Sequence, residues 1–302
     1  MCMEPIIKFV CNYNSDYNIY NLVNDVWNIE GNHKLTYGDD YTHLVIFNKY
    51  DKNLIKIDKK NVYGVIHEPY WSGFFDKNLP SICNKVFHYQ PEKFIGYDNV
   101  IKTPFIGTHH LWDKQYKGEV IYKPNTTKTI IDNEYKKTKK LSIILNNHGE
   151  IDYSSECIWK KRQDLARKLL STNIDFDMYG IDWNLSDKRF KGYVVNKLDA
   201  LKDYEYTLSL ENSPISAEIT EKFIDPILCD TIPIYNGHRD IELYYPNSYE
   251  YLEYGDNVID DILTIINSNK TKQDYDLEGA KYNFLNEYNP INLIKNDIKN
   301  GK

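Results

Sequence analysis

From Leu141 onward the chain alternates between short strand-like runs and segments of helical spacing, and few folds accept that order. Leu141-Ser142-Ile143-Ile144-Leu145 has the length and side-chain branching of a buried strand. Trp159 to Leu170 spaces Leu165, Leu169 and Leu170 for one helical face. Phe176 to Tyr179 reads as a strand, Lys197 to Lys202 as a short helix and Tyr206 to Leu210 as a strand. Ile219 to Cys229 then reads as a helix and Thr231 to Tyr235 as a strand. Strands joined by crossover helices make a parallel sheet, so this half is expected to be a Rossmann-like α/β domain.

The first half carries strand-length apolar runs at Pro5 to Val10, His43 to Phe47, Val62 to His67 and Lys85 to Tyr89, each bounded by Asn, Asp or Lys. Between Tyr116 and Lys140 the composition turns polar, with Pro124-Asn125-Thr126-Thr127 and a lysine-rich run from Tyr135. Few residues there can join a core, which marks a domain boundary. The expected division is 1–138, 139–275 and a helical tail, 276–302, that packs back.

Composition removes several function classes. The net charge of −7 provides no basic field for a nucleic-acid backbone. The five cysteines are scattered without a C-x-x-C pair, which fits neither a zinc site nor a disulfide framework. Met1-Cys2-Met3-Glu4-Pro5 lacks the basic and apolar regions of a signal peptide, and no run approaches the ~18 apolar residues of a membrane span. The expectation is a cytoplasmic protein with no membrane span.

The stretch from Tyr204 to Gly237 is the most informative: strand, loop, helix, strand. In parallel sheets ligands bind at the carboxyl ends of strands, beside the following helix N-terminus. Glu211, Asn212 and Ser213 would lie at such a strand end, and Thr220, Glu221 and Lys222 in the first turns of the helix. A lysine beside free backbone N–H groups suits a diphosphate.

The residue pattern is more specific than its physics. Glu211-Asn212-Ser213, then Ile219-Thr220-Glu221-Lys222, then Thr231-Ile232-Pro233-Ile234 with Gly237 stand in register. Together they resemble the donor-binding signature of the α1,3/4-fucosyltransferases, glycosyltransferase family 10. Tyr245-Pro246-Asn247-Ser248-Tyr249 is similar to a further segment of that family, and Arg162 with Leu169 matches its arginine-bearing helix. The resemblance covers Leu141 to Tyr254 well and the first half thinly. It implies a GT-B type α/β fold, two Rossmann-like domains facing across a cleft, and an inverting transferase. The implied donor is GDP-fucose, the acceptor a glycan or glycoconjugate hydroxyl, and no metal or other cofactor is expected.

The resemblance also implies roles. Arg162 and Lys222 would grip the pyrophosphate, Asn212 would orient the nucleotide sugar, and Glu221 would contact the sugar or its oxocarbenium-like charge. Glu68, at the end of the strand from Val62, matches the family's catalytic base, and Pro69 restricts it to an extended conformation. Independently of the resemblance, the aromatics Tyr70, Trp71, Phe74 and Phe75 that follow can stack on sugar faces, which makes them either a candidate acceptor platform or an ordinary core or interface patch. Glu218 stands where the family has a tyrosine near the nucleotide, which leaves a UDP- or dTDP-linked deoxysugar such as rhamnose open as donor. A nucleotide-sugar-binding protein without catalysis is the reading from another class.

Pro226 falls inside the expected helix and should kink or end it, and Asn236 replaces a family aromatic. Asp175-Phe176-Asp177 has the D-x-D form of metal-dependent glycosyltransferases, but it alternates within a strand, where a structural role is expected. His109-His110 and Asp260-Asp261 lack a third ligand at metal spacing.

Overall fold

A computed structural model of the chain describes residues 4–12, 15–67, 74–104, 111, 126–147, 158–213 and 219–300. The chain divides into two compact units, residues 1–108, 122–129 and 282–302 in the first, 109–121 and 130–281 in the second. Each is built on its own six-stranded sheet, and every strand pair in both sheets is parallel.

The first unit runs β1 (Ile7–Val10), α1 (Asp16–Trp27), β2 (Leu35–Thr36), β3 (His43–Phe47), β4 (Val62–Val65), α2 (Leu79–Ile82), β5 (Lys85–His88) and β6 (Val100–Lys102). Its strand order is β2-β1-β3-β4-β5-β6. The Ser15 hydroxyl accepts the Asn18 N–H at 3.2 Å and starts α1, which buries Ile19, Val23 and Val26. Phe75 lies in this unit's core, its ring 6.1 Å from His88 and 5.9 Å from Phe94, whereas Phe74 is exposed. Of the four aromatics after Glu68, Phe75 thus serves packing.

Helix α3 (Thr126–Asp132) carries the chain from one unit to the other. The second unit then runs β7 (Lys139–Ile144), α4 (Trp159–Leu170), β8 (Asp177–Tyr179), β9 (Phe190–Gly192), β10 (Tyr204–Ser209), α5 (Glu221–Leu228), β11 (Ile232–Tyr235), α6 (Ile241–Tyr244), β12 (Glu250–Tyr251), α7 (Val258–Ile266) and α8 (Leu277–Tyr282). The last helix, α9 (Pro290–Asn300), returns to the first unit. There Asp297 is bonded by Lys85 and by the Tyr63 hydroxyl, the latter at 3.1 Å.

Strand order in the second sheet is β9-β8-β7-β10-β11-β12. Counted from β7 this is the dinucleotide-fold order 3-2-1-4-5-6, and the winding reverses between β7 and β10. At that point the two crossover connections diverge and leave a crevice at the strands' carboxyl ends. The α4 stripe of Leu165, Ala166 and Leu169 and the α5 residues Phe223, Ile224, Ile227 and Leu228 are buried against the sheet. Cys83 and Cys229 are buried, which pushes their thiols up to about 12 and about 11, far from thiolate chemistry.

One side chain fixes how α4 ends. Arg189 Nη1 donates to Thr172 O at 2.8 Å and Ile174 O at 3.0 Å, Nη2 to Leu170 O at 2.5 Å, and Asp187 pairs with it at 2.7 Å. These carbonyls belong to the last turn of α4 and the segment leading into β8, where no helical donor reaches them. Arg189→Ala is expected to destabilise the second unit by about 2–3 kcal/mol, as charged hydrogen bonds to otherwise orphaned carbonyls do. Urea unfolding would show this as a lower midpoint with an unchanged slope. An unmoved midpoint would remove the capping role.

Candidate functional site

Proline inside α5 creates a local problem that the fold solves. Pro226 has no N–H for the carbonyl of Lys222, four residues back. The Ser209 hydroxyl, on β10, donates to Lys222 O at 2.7 Å instead. The helix therefore continues to Leu228, two residues beyond the proline, where the sequence led us to expect a kink or an end. Its N-cap is Thr220, whose hydroxyl accepts the Lys222 N–H at 3.2 Å.

Glu211 organises this turn. It is 2% exposed, and its carboxylate accepts the Thr220 N–H at 2.9 Å and the Thr220 hydroxyl at 2.7 Å. Burial pushes its pKa above the carboxylate range; the Lys222 ammonium, 3.7 Å away, opposes that rise and the Glu221 charge adds to it. Asn236, the departure from the family aromatic, accepts the Glu211 backbone N–H at 2.6 Å. Glu211 and Asn236 thus shape the end of β10. Tyr245 and Tyr249, from the further matched segment, pack on Phe223 of α5 with ring centres 5.3 and 5.8 Å away.

At the reversal point a cavity of about 260 Å³ opens within the second unit. Its walls include Ile144 at the end of β7, Ser209, Leu210 and Asn212 at the end of β10, and Glu221 and Lys222 in the first turn of α5. Arg162, in the first turns of α4, also reaches it. While Lys160, Lys161, Arg167 and Lys168 are exposed, Arg162 is 5% exposed because it shares the buried helix face with Leu165, Ala166 and Leu169. Its guanidinium donates to Asn212 Oδ1, and the Asn212 carbonyl accepts the Ile158 N–H at 2.8 Å, so Asn212 ties the start of α4 to the end of β10. Tyr254 stands near Arg162, and its buried hydroxyl has no hydrogen-bond partner among the described residues.

Lys222 Nζ sits 3.1 Å from Glu221 Oε1 and 3.2 Å from Thr220 Oγ1. The cavity is therefore a mixed-charge basin: cations from α4 and α5, a carboxylate on the rim, and the positive end of a helix dipole. Such a basin can hold an anion next to hydroxyl-bearing groups that the carboxylate and the Asn212 amide can accept from and donate to.

Four sequence candidates, Arg162, Asn212, Glu221 and Lys222, therefore line one cavity. Glu68, Tyr70, Trp71 and Glu218 lie outside the described residues. Sequence reasoning missed Gly180, Lys197 and Asp225. Gly180 has φ +154, and a Cβ there would lie 1.9 Å from Leu145 O, so only glycine lets β7 and β8 close up at the cavity wall. Its place directly after the Asp177–Tyr179 strand was the available signal. Nothing in the sequence singles out Lys197 among the 37 lysines and arginines, since its partner Asp225 is 28 positions away.

The D-x-D segment is elsewhere. Asp177 opens β8, at the opposite end of the strand from Gly180, and binds Lys139 at 2.9 Å, Lys191 at 3.0 Å and the Tyr204 hydroxyl at 2.7 Å. Burial works against its charge, yet these partners hold its pKa below the ordinary carboxylate value. Asp175 is exposed, and no group of three potential metal ligands gathers among the described residues. Nor does any described helix have the length and apolarity to cross a membrane.

Residues 135–264 match the family model for the C-terminal part of glycosyltransferase family 10 (fucosyltransferase). A putative fucosyltransferase-like protein of Arabidopsis thaliana is 33% identical over 91 residues, which are 30% of this chain and 17% of the plant protein. The chain thus aligns with under a fifth of that curated relative. Among solved structures, an α1,3-fucosyltransferase with GDP superposes with a TM-score of 0.53 at 16% identity, covering 98% of this chain and 89% of its own. Anabaena Alr3699/HepE in complex with UDP and glucose superposes with a TM-score of 0.51 at 9% identity, covering 99% of each chain. At these identities the structural likeness is one of fold, and it is the GT-B glycosyltransferase fold. Residues 135–264 thus carry the signature of the C-terminal part of glycosyltransferase family 10, in a chain whose fold is that of the GT-B glycosyltransferases.

Proposed function

We propose that the protein transfers L-fucose from GDP-fucose to a hydroxyl of a glycan or glycoconjugate, with inversion and without a metal. The observation that supports this most is the meeting of Arg162, Asn212, Glu221 and Lys222, from three separated segments, around one cavity at the reversal of the sheet. The solved α1,3-fucosyltransferase of the same fold holds GDP.

In this reading the acceptor oxygen attacks the anomeric carbon as the carbon–oxygen bond to the β-phosphate breaks. The acceptor proton passes to the Glu68 carboxylate, and the bonding electron pair leaves on the phosphate oxygen. A nucleoside diphosphate is already a good leaving group, so it needs charge stabilisation more than protonation. Arg162 and Lys222 supply that stabilisation, aided by the α5 N-terminus. Glu221 faces the sugar and its developing positive charge, and Asn212 orients the donor. Release of Lys222 from Glu221 toward the phosphate leaves that carboxylate available to the sugar.

The test is release of GDP from GDP-fucose in the presence of an acceptor panel and excess chelator, with product stereochemistry read by NMR. Transfer that continues in chelator is the expected result. Complete loss in chelator, with manganese restoring an activity that Asp175→Ala or Asp177→Ala removes, would move the chemistry to the D-x-D segment. Turnover with UDP- or dTDP-deoxysugars in place of GDP-fucose would reassign the donor.

A further inference from the structure

In the first unit, Asn48 follows β3 in a left-handed turn, with φ +56, and is 1% exposed. Its main-chain N–H donates to Val65 O at 2.9 Å and continues the β3–β4 ladder. In a regular parallel pair the next bond would run from the His67 N–H to the Asn48 main-chain carbonyl. The turn sends that carbonyl elsewhere, to the Asp76 N–H at 2.9 Å. The Asn48 side chain takes over the vacated rung, its Oδ1 accepting the His67 N–H at 3.0 Å. Asparagine suits the position, because its short amide reaches neighbouring main chain and it tolerates a left-handed backbone.

The same amide grips the His67 ring. With Oδ1 committed to a main-chain donor, Nδ2 is the atom that faces Nε2, 3.0 Å away. Nδ2 only donates, so Nε2 accepts and the ring proton sits on Nδ1. Phe47 packs edge-on to the ring, with centres 5.9 Å apart. Asn48 therefore holds both ends of the segment 68–75, His67 before it through the side chain and Asp76 after it through the main chain. Phe75, the last residue of that segment, is fastened in the core. The segment carries Glu68, Tyr70 and Trp71 in sequence.

We propose that Asn48 is a positioning residue for the transfer: by clasping His67 and Asp76 it fixes where the chain leaves β4, and with it the base that follows His67. This rests on the reading of Glu68 as that base. Asn48 acts through the main chain of His67 rather than on a reacting atom. A catalytic group displaced by about 1 Å can lose roughly 10²-fold in rate, so the clasp has a kinetic effect beyond its share in stability. The ring contact has its own consequence. With Nε2 engaged as an acceptor and Nδ1 protonated, His67 takes no proton from the acceptor hydroxyl and leaves that task to Glu68.

The experiment compares Asn48→Gly and Asn48→Asp with the unmodified protein. Glycine keeps the left-handed backbone at no steric cost and deletes only the two side-chain bonds. Its kcat should fall roughly 10- to 100-fold, measured well below the variant's unfolding midpoint, with the dissociation constant for GDP unchanged. Asn48→Asp keeps an oxygen for the His67 N–H and should recover most of the rate, while its second oxygen makes Nε2 the protonated nitrogen. Nitrogen-15 spectra of histidine-labelled protein, with His67 assigned through His67→Gln, read this directly as Nδ1–H in the unmodified protein and Nε2–H in Asn48→Asp. On a Glu68→Gln background Asn48→Gly should cost nothing further, since no base is left to misplace. Full kcat in Asn48→Gly, whatever its midpoint, would make Asn48 structural, and an undiminished loss on the Glu68→Gln background would tie it to something other than the base; either overturns the inference. An Nε2–H ring in the unmodified protein would overturn the clasp without any variant. Full turnover by Glu68→Gln would instead overturn the base on which the inference rests.

Discussion

Glu68→Gln should lower transfer roughly 10²–10⁴-fold, the range for loss of a general base, while leaving the dissociation constant for GDP unchanged. Glutamine keeps the volume and one acceptor oxygen but takes up no proton at any working pH. The base acts on the acceptor hydroxyl, which is absent from the nucleotide complex, so binding and turnover separate. Initial rates at saturating acceptor together with GDP calorimetry on the same preparation make the comparison. Full turnover by a folded Glu68→Gln variant would place the base on another residue.

Loss of the cations has the opposite signature. Lys222→Met and Arg162→Met are each expected to raise the dissociation constant for GDP roughly 10- to 100-fold, from the 1.5–3 kcal/mol of a hydrogen bond to a charged group. Turnover at saturating donor should fall further, because charge on the bridging oxygen grows as the bond breaks. Lys222→Met also leaves Glu211 buried next to Glu221 without the ammonium that offsets them. Lys222→Arg is the control, since it restores the charge and should recover most of the affinity. Unimpaired binding of GDP, UDP and dTDP after both substitutions would remove the diphosphate assignment from this cavity.

Helix α4 runs over Trp159–Leu170, the bounds expected from its apolar spacing, because a twelve-residue amphipathic stripe is long enough to show its period. Strand β3 likewise matches the expected His43 to Phe47. Strands β2 and β12 have two residues each, too few for any period, and went unassigned. Helix α1 also went unassigned, although Ile19, Leu22, Val23 and Val26 are helically spaced; the intervening Asn and Tyr residues dilute that stripe.

For the site, the motif placed Arg162, Asn212, Glu221 and Lys222, and the fold added the reason they meet. Sheet order is a property of pairing between distant strands, so the reversal between β7 and β10 leaves no local trace in the chain. The same holds for Lys197 and Asp225, whose pairing depends on where a 3₁₀ turn and α5 come to lie. Glu211 lies just after β10, at the strand end where the sequence places it, and its burial and bonds to Thr220, which sequence does not reveal, make it the support of the helix cap.

The bond from Ser209 to the Lys222 carbonyl bears on the entropy of ligand capture. Helix α5 has eight residues and an internal proline, too short to persist on its own ladder. Its first turn is fastened to β10 by a side chain of the sheet, so the turn is already ordered when a ligand arrives. Segments that fold around their ligands give up part of the interaction energy to that ordering, and here the main chain of the turn has no such freedom left to lose. In the proposed donor complex, adjustment is then confined to side-chain torsions, chiefly a swing of the Lys222 stem from the Glu221 carboxylate toward the phosphates.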